Sequence, residues 1–320
     1  MMRKWAVCAG YLCIAVTGAA QAFKPAPLQP ATIRSWGDDA MRGVMRGWEQ
    51  AFRRYHPEIT FEDTLLGSGS GMAGTITGVS DMSLMGRPVT ANEVIGFEWV
   101  HRVKPLGFSV LTGKAGEGRS APLGVYVAAA NPVRSISMEQ LAAVLGCPVQ
   151  ADASVTWSAA GATGIWAGKP LHAYVFDDQE GSGVFLQQAL QGARDCWNWS
   201  VVHEFKDGPL SSASQQILAA VRRDPEGLGI AIATRVPAGL KRIAVNGIEP
   251  TVEAEVSGAY PLARRAYIYI HRARDKAVEP KVAEFLRFVL SDEGQAIAMR
   301  QGDYLPLNEA ALMEQRAKLE

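Results

Sequence analysis

The chain has 320 residues, of which 48% are hydrophobic and 20% are charged, so it is long enough for one large domain or for two lobes with separate cores. Its 32 basic residues balance its 32 acidic residues. Since the sequence has no basic stripe, polybasic run or acidic tail, composition argues against a nucleic-acid partner.

The first 22 residues have the pattern of a secretory signal peptide. Arg3 and Lys4 precede an apolar run over 5–16 that is too short to span a bilayer comfortably. The Ala20-Gln21-Ala22 segment fits a cleavage site. Retention of this segment as an anchor is the alternative. We expect cleavage after Ala22, a periplasmic or secreted protein, and no membrane attachment once the signal is removed.

Strand and helix patterns alternate along the rest of the chain. In chain order they predict strands over 32–36, 59–66, 82–85, 122–130, 171–176, 228–233 and 266–270. They predict helices over 40–55, 72–79, 138–145, 184–190, 214–223, 280–290 and 292–300. The β-α-β-α-β order at the start predicts a parallel sheet with helices on both faces, so we expect an α/β fold. Strands 122–130 and 260–270 are the predicted connections between two groups of strands.

Two glycine–serine segments, Gly67–Gly71 and Gly181–Gly183, each follow a predicted strand and precede a predicted helix. The start of a helix presents free backbone N–H groups and a positive dipole end, and both attract anions. Serine adds a hydroxyl donor, and glycine lets the backbone approach a ligand closely. For Ser68, capping of the helix is the alternative role. The candidate ligand contacts are Ser68, Gly69, Ser70, Gly71, Ser182 and Gly183.

The order of these segments resembles the type II periplasmic solute-binding proteins, and most closely the phosphate-binding protein of ABC importers. The resemblance covers nearly the whole mature chain. It rests on the order and spacing of WEQAF, YHPEITFEDTLLGSGSG, GVSDMSLMGRPVT, SMEQLAAVLG, EGSGVFLQQAL, DPEGLGIA, YPLARRAYIYI and EFLRFVLSDEGQAIA.

The resemblance implies two α/β lobes, each a mostly parallel sheet flanked by helices, joined by two crossing strands and closing on a ligand by hinge motion. Lobe 1 is then predicted to consist of residues 23–128 plus 263–320, and lobe 2 of residues 129–262. A small-molecule ligand is implied, phosphate or a related oxyanion, with delivery to a membrane permease of an ABC importer. No cofactor is expected, and free closure of the lobes favours a monomer.

The sequence departs from the phosphate-binding pattern by gaining carboxylates. Asp178 stands where phosphate binders usually carry an arginine, Asp38 and Asp39 stand where they offer Thr or Ser, and Val184 replaces a hydroxyl. A carboxylate 4 Å from an anion costs about 4 kcal/mol per unit-charge pair at an effective dielectric of 20. Asp39 and Asp178 are therefore candidate contacts for a ligand that bears an amine or a cation. Helix capping by Asp38 and Asp39, and a solvent-facing Asp178, are the alternatives.

Arg87 follows the third predicted strand, where relatives often have Ser-Arg facing the ligand, and Gly86 replaces the serine. Arg87 is thus the candidate for the remaining anion contact. A structural ion pair with an acid such as Asp81 is the alternative. Beyond the oxyanion reading, a different solute or a role as an interaction or sensor protein without ligand also remains open.

Catalysis and metal binding have little support in the sequence. The five histidines show no HExxH or HxH spacing, and neither glycine segment is a nucleophile elbow. Paired carboxylates facing each other, as in a glycosidase, are the alternative, but we predict a protein that is not an enzyme. Cys147 and Cys196 remain after the signal is lost, and they form either a disulfide or two buried thiols.

Overall fold

The computed structural model describes residues 22–114, 120–147, 155–190, 196–233 and 235–320. The predicted signal segment falls almost entirely on residues 1–21, which lie outside this range. Among the described residues, none of the helices combines the length and the apolar character needed to cross a membrane.

Twelve strands form two six-stranded sheets in the described part of the chain. The first sheet has the order β12-β4-β11-β3-β1-β2, and the second has the order β6-β10-β5-β9-β7-β8. The strands are β1 (Ala31–Gly37), β2 (Ile59–Leu65), β3 (Met82–Met85), β4 (Leu106–Gly113), β5 (Gly124–Ala128), β6 (Ser135–Ile136), β7 (His172–Phe176), β8 (Val202–Phe205), β9 (Gly227–Ala231), β10 (Leu240–Val245), β11 (Arg265–Ile270) and β12 (Tyr304–Leu305).

Ten α-helices are described, and they cover both sheets. They are α1 (Arg42–Phe52), α2 (Ser68–Ile76), α3 (Ala91–His101), α4 (Met138–Leu145), α5 (Gly181–Ala189), α6 (Ala213–Arg223), α7 (Val252–Ser257), α8 (Pro280–Val289), α9 (Asp292–Gln301) and α10 (Glu309–Ala317). A 3-10 turn, Asp39–Met41, leads into α1, and a second one, Gly164–Trp166, lies between α4 and β7.

Each sheet has its own hydrophobic core, which confirms the predicted two-lobed α/β fold. Trp48, Phe52 and Phe285 are fully buried against the first sheet, and Trp157 and Trp197 lie in the core of the second. Strands β1, β2 and β3 are mutually parallel, as are β7, β8 and β9. Both sheets are mixed, however, because β11 runs antiparallel to β3, and β5 runs antiparallel to both β9 and β10.

The chain crosses between the lobes twice, before β5 and before β11. The two crossings are hydrogen-bonded to each other, since Leu123 N–H donates to the Leu262 carbonyl at 3.1 Å and Gly113 N–H donates to the Arg264 carbonyl at 2.9 Å. Strand β5 (Gly124–Ala128) belongs to the second sheet, whereas these residues were predicted to end lobe 1. The first crossing therefore lies before the strand that was predicted to make it.

The two glycine–serine segments are the first turns of helices and not loops before them. Helix α2 begins at Ser68, four residues before the predicted start, and α5 begins at Gly181, three residues before it. Glycine has low intrinsic helix propensity, which favours a loop prediction, but tertiary packing overrides it. A Cβ at Gly71 would lie 2.9 Å from Met85 Sδ and 3.3 Å from the Leu84 carbonyl oxygen, so α2 packs closely on β3 through this glycine.

Cys147 and Cys196 form a disulfide in the second lobe. Their neighbours Gly146 and Trp197 make an antiparallel bridge at the same place. The disulfide thus fastens the chain after α4 to the chain before β8.

Candidate functional site

A cleft of about 1150 Å³ lies between the lobes, and both glycine–serine helix starts line it. Its position follows from the topology. The carboxyl ends of parallel strands meet at one edge of a sheet, where the chain turns into the next helix and ligands of α/β proteins usually bind. Asp38 follows β1, Ser68 follows β2, and Arg87 follows β3 at this edge of the first lobe. Ser182 lies at the corresponding edge of the second lobe, after β7.

Asp38 and Ser68 form a hydrogen-bonded unit on the floor of the cleft. Ser68 Oγ donates to Asp38 Oδ2 at 2.8 Å and accepts from Gly86 N–H at 3.0 Å. The other oxygen, Asp38 Oδ1, accepts from Ala40 N–H at 3.0 Å, so Asp38 also caps the 3-10 turn before α1. The hydroxyl hydrogen of Ser68, predicted to reach a ligand, is thus directed to a carboxylate of the protein.

The glycine at position 86 makes room for this carboxylate. A Cβ placed on Gly86 would overlap Asp38 Oδ2. The chain departs from the phosphate-binding pattern here in two ways, with an acid after β1 and a glycine where relatives often have serine. The two changes are linked, because the acid occupies space that a side chain at position 86 would need. The space released by the missing serine side chain holds the Asp38 carboxylate.

Arg264, which was not among the predicted ligand contacts, links the two lobes across the cleft. It lies on the second crossing and is 3% exposed. Its Nη1 donates to Ser182 Oγ at 3.0 Å, and its Nη2 donates to the Gly86 carbonyl at 2.9 Å. The guanidinium also lies over the Phe185 ring, with Cζ 5.5 Å from the ring centroid. Burial lowers the pKa of Arg264, and the negative charge of Asp38 opposes that shift.

Arg87 lines the cleft but is held by an acid of its own lobe. Its Nη1 and Nη2 each donate to Glu93 at 2.8 Å, in a bidentate pair. Arg87 thus forms a structural ion pair through these two nitrogens, as the predicted alternative had it, but its partner is Glu93 and not Asp81. Asp81 instead pairs with Arg34 and Lys281. Burial alone would raise the pKa of Glu93, but hydrogen bonds from Arg87 and Thr90 outweigh it and lower that pKa.

One nitrogen of Arg87 remains without a protein partner. The residue is 5% exposed, and no acceptor among the described residues lies within hydrogen-bonding distance of its Nε. A buried N–H group without an acceptor is costly, and this nitrogen is itself shielded from the open cleft.

The other predicted contacts divide between the cleft and the interior. Gly69, Ser70, Asp39 and Ser182 line the cleft. Ser70 Oγ donates to the Gly67 carbonyl at 2.8 Å, so its hydroxyl closes the first turn of α2. Ser182 accepts from Arg264, which leaves its own hydroxyl hydrogen able to donate to a ligand.

Gly71, Gly183 and Asp178 do not belong to the described lining of the cleft. A Cβ at Gly183 would overlap the Asp177 carbonyl, so this glycine, like Gly71, permits close packing of a helix on its strand. Asp178 lies beside Asp177 and Glu204, and its N–H donates to Glu204 Oε1 at 2.9 Å. Asp178 therefore replaces the expected arginine in sequence, but its carboxylate lies near Glu204 and accepts from Gln179 Nε2 at 2.7 Å, outside the described lining of the cleft.

Comparisons with known proteins agree with this architecture. Residues 24–293 match the family model described as PBP superfamily domain. The phosphate-binding protein PstS of Pseudomonas aeruginosa is 25% identical over 286 residues, which span 86% of this chain and 83% of that protein. Protein SphX of Synechococcus elongatus is 23% identical over 299 residues, spanning 89% of this chain and 80% of that protein.

Solved structures share the fold at lower sequence identity. An ABC-type phosphate transport receptor from Vibrio cholerae superposes with a TM-score of 0.60 at 17% identity, over 86% of this chain and all of that one. PstS from Borrelia burgdorferi superposes with a TM-score of 0.58 at 15% identity, over 87% of this chain and 99% of that one.

Proposed function

This chain belongs to the PBP superfamily, and we propose that it is a periplasmic solute-binding protein that captures a small oxyanion between its lobes. Phosphate is the leading candidate for that oxyanion, because the curated relatives include phosphate-binding proteins. The proposal gives the protein a transport role as the receptor of an ABC importer, with a membrane permease as its partner. It assigns no catalytic step to any residue.

One observation carries the proposal: the first turns of α2 and α5 line the same cleft from opposite lobes. Each turn has backbone N–H groups that the helix itself does not use, and each adds the positive end of a helix dipole. An oxyanion between them accepts hydrogen bonds from both lobes at once. Such a ligand binds the closed arrangement better than the open one and shifts the population toward closure.

The described lining of the cleft carries four acids and three arginines, namely Asp38, Asp39, Glu180 and Asp207, and Arg87, Arg235 and Arg264. Arg264 lies near Asp38, and Arg87 is paired with Glu93. The attraction for an anion therefore comes from the helix starts and the Ser182 hydroxyl, and not from an excess of cationic side chains. This is the kind of site in which oriented dipoles hold an anion.

Closure would extend contacts that the lobes already make. Gln188 Nε2, on α5 of the second lobe, donates to the Val89 carbonyl of the first lobe at 3.1 Å. Arg264 joins Ser182 to Gly86 in the same way. Rotation about the two crossings would bring the helix starts together while these contacts guide the approach.

Calorimetric titration with inorganic phosphate at pH 7 tests the proposal. We expect one binding site per chain, and at least a tenfold weaker affinity for the Ser182→Ala variant, since a lost charge-assisted contact costs about 1.5 kcal/mol or more. Ser257→Ala, an exposed serine at the end of α7, is the matched control and should bind as the wild type does. The absence of both heat and thermal stabilisation at millimolar phosphate would reject phosphate as the ligand.

A further inference from the structure

The cleft is larger than a bare oxyanion needs. Its volume is about 1150 Å³ although Gln188 and Arg264 already hold the lobes in contact. Pockets of roughly 300–1000 Å³ accommodate whole organic ligands. With the lobes arranged as described, before further closure, an ion of five atoms between the starts of α2 and α5 would leave most of this space unfilled.

The rest of the space lies along α6 of the second lobe. We call this surface the α6 wall, and it consists of Ser212, Gln215, Leu218 and Ile232. It combines hydroxyl and amide groups at the start of α6 with aliphatic side chains farther along. A mixture of this kind suits a substituent that has both polar groups and carbon surface.

The α6 wall is not arranged as a second anion site. Ser212 and Gln215 form a capping box, in which Gln215 N–H donates to Ser212 Oγ and Ser212 N–H donates to Gln215 Oε1. Asp207 Oδ1 accepts from Ala213 N–H at 2.9 Å. The N–H groups of Ser212, Ala213 and Gln215 are therefore already used, and a carboxylate stands beside them. An uncharged polar group fits this wall better than a second anion.

The anion site, in contrast, has an unused buried donor. The Nε of Arg87 has no acceptor among the described residues, and the side chain is 5% exposed at the cleft. The described lining of the cleft has four acids and three arginines, so net charge does not favour an anion there. Contacts made by a substituent along the α6 wall would supply binding free energy that charge does not.

We propose that the solute is a small organic phosphate monoester whose phosphate group lies between the starts of α2 and α5 and whose hydroxyl-bearing substituent lies along the α6 wall. This inference rests on the proposed function, because it requires the same anion site. It adds the identity of the rest of the ligand and names the surface that selects it.

Titration with glycerol 3-phosphate and inorganic phosphate in parallel tests this inference, with glycerol as a control for the substituent alone. We expect glycerol 3-phosphate to bind at least tenfold more tightly than phosphate. If phosphate binds and the ester binds no more tightly, the inference is wrong while the proposed function stands. If neither binds, the anion site itself is wrong, and both proposals fall together.

A variant at the α6 wall separates the two parts of the ligand. Ile232→Trp fills the wall and should lower the affinity for glycerol 3-phosphate at least tenfold more than the affinity for phosphate. Leu210→Ser, at a side chain that is 97% exposed and outside the cleft lining, is the control and should change neither. In the wild-type protein, nuclear Overhauser effects should connect the substituent protons of the bound ester to the methyl groups of Leu218 or Ile232. Effects to the side chains of α3 instead would overturn the inference even if Ile232→Trp fails to fold.

Discussion

Arg264 lies 82 residues after Ser182 in the chain, yet its Nη1 donates to Ser182 Oγ at 3.0 Å across the cleft. The second guanidinium nitrogen reaches the Gly86 carbonyl in the other lobe. Arg264, on the second crossing, thus contacts both lobes close to the starts of α2 and α5. Position 178 lacks the arginine of the phosphate-binding pattern, and Arg264 places a guanidinium near the cleft from a different part of the fold.

The Arg264→Lys variant should weaken both the fold and ligand binding. A lysine ammonium is a single point charge and cannot reproduce two diverging guanidinium contacts. We expect a loss of about 2 kcal/mol in the free energy of unfolding and at least a tenfold loss in phosphate affinity. Arg265→Lys, one residue later at the start of β11, is the matched control. Equal effects from the two substitutions, measured by denaturation and calorimetry, would contradict this role.

The contact between Gly86 and Asp38 predicts that the two positions depend on each other. Gly86→Ala places a methyl group against Asp38 Oδ2 and should cost about 1–3 kcal/mol of unfolding free energy. Adding Asp38→Ser removes the carboxylate and should recover most of that loss. Chemical denaturation of the single and double variants gives the coupling energy.

Gly69→Ala is the matched control for the Gly86 substitution. A Cβ at Gly69 meets no atom within 4 Å, so we expect almost no change in stability. If the changes in unfolding free energy for Gly86→Ala and Asp38→Ser simply add, the Asp38 carboxylate does not occupy the space that a Cβ at Gly86 needs.

The sequence predicted the fold better than it predicted the site, for a physical reason. Hydrophobic periodicity is a local signal, and it located β1–β3, β7 and α8 to within a residue or two. The site depends on which strand ends meet, and that is a long-range property. Arg264 had only a weak local signal, a pair of arginines just before a strong strand, and nothing in its neighbourhood indicates that it reaches Ser182.

Spacing within a motif was also an unreliable guide to side-chain direction. Asp178 is three residues before Gly181, and the resemblance therefore placed it at the ligand. The turn between β7 and α5 directs it toward Glu204 instead. In the same way, Gly71 and Gly183 were predicted to approach a ligand, whereas they let helices pack on strands.

The buried carboxyl of Glu49, next to Asp63, should make the first lobe less stable as the pH rises. Burial, then the hydrogen bond and charge of Asp63, raise the pKa of Glu49 from 4.5 to about 8. Between these values the folded state holds a proton that the unfolded state has released. Unfolding free energy should therefore fall by up to roughly 1.4 kcal/mol per pH unit from about pH 4.5 to about pH 8. Above pH 8 this contribution should stop changing.

Denaturation of Glu49→Gln across the same pH range checks this effect. Glutamine cannot ionise, so the unfolding free energy of Glu49→Gln should fall less steeply with pH. Relative to the wild type, the variant should become more stable as the pH rises. Glu62→Gln, on the exposed side of β2, is the control and should keep the wild-type slope. Identical slopes for the wild type and Glu49→Gln would exclude a proton shared between Glu49 and Asp63.

Binding of an oxyanion between the starts of α2 and α5 can be followed residue by residue with backbone amide NMR during a phosphate titration. Phosphate should cause large, saturable shifts of the amides of Ser68, Gly69, Gly181 and Ser182, with one common dissociation constant in both lobes. The amides at the capped start of α6 should shift much less. Shifts confined to one lobe, or a larger response at α6 than at α2 and α5, would contradict binding between these two helix starts.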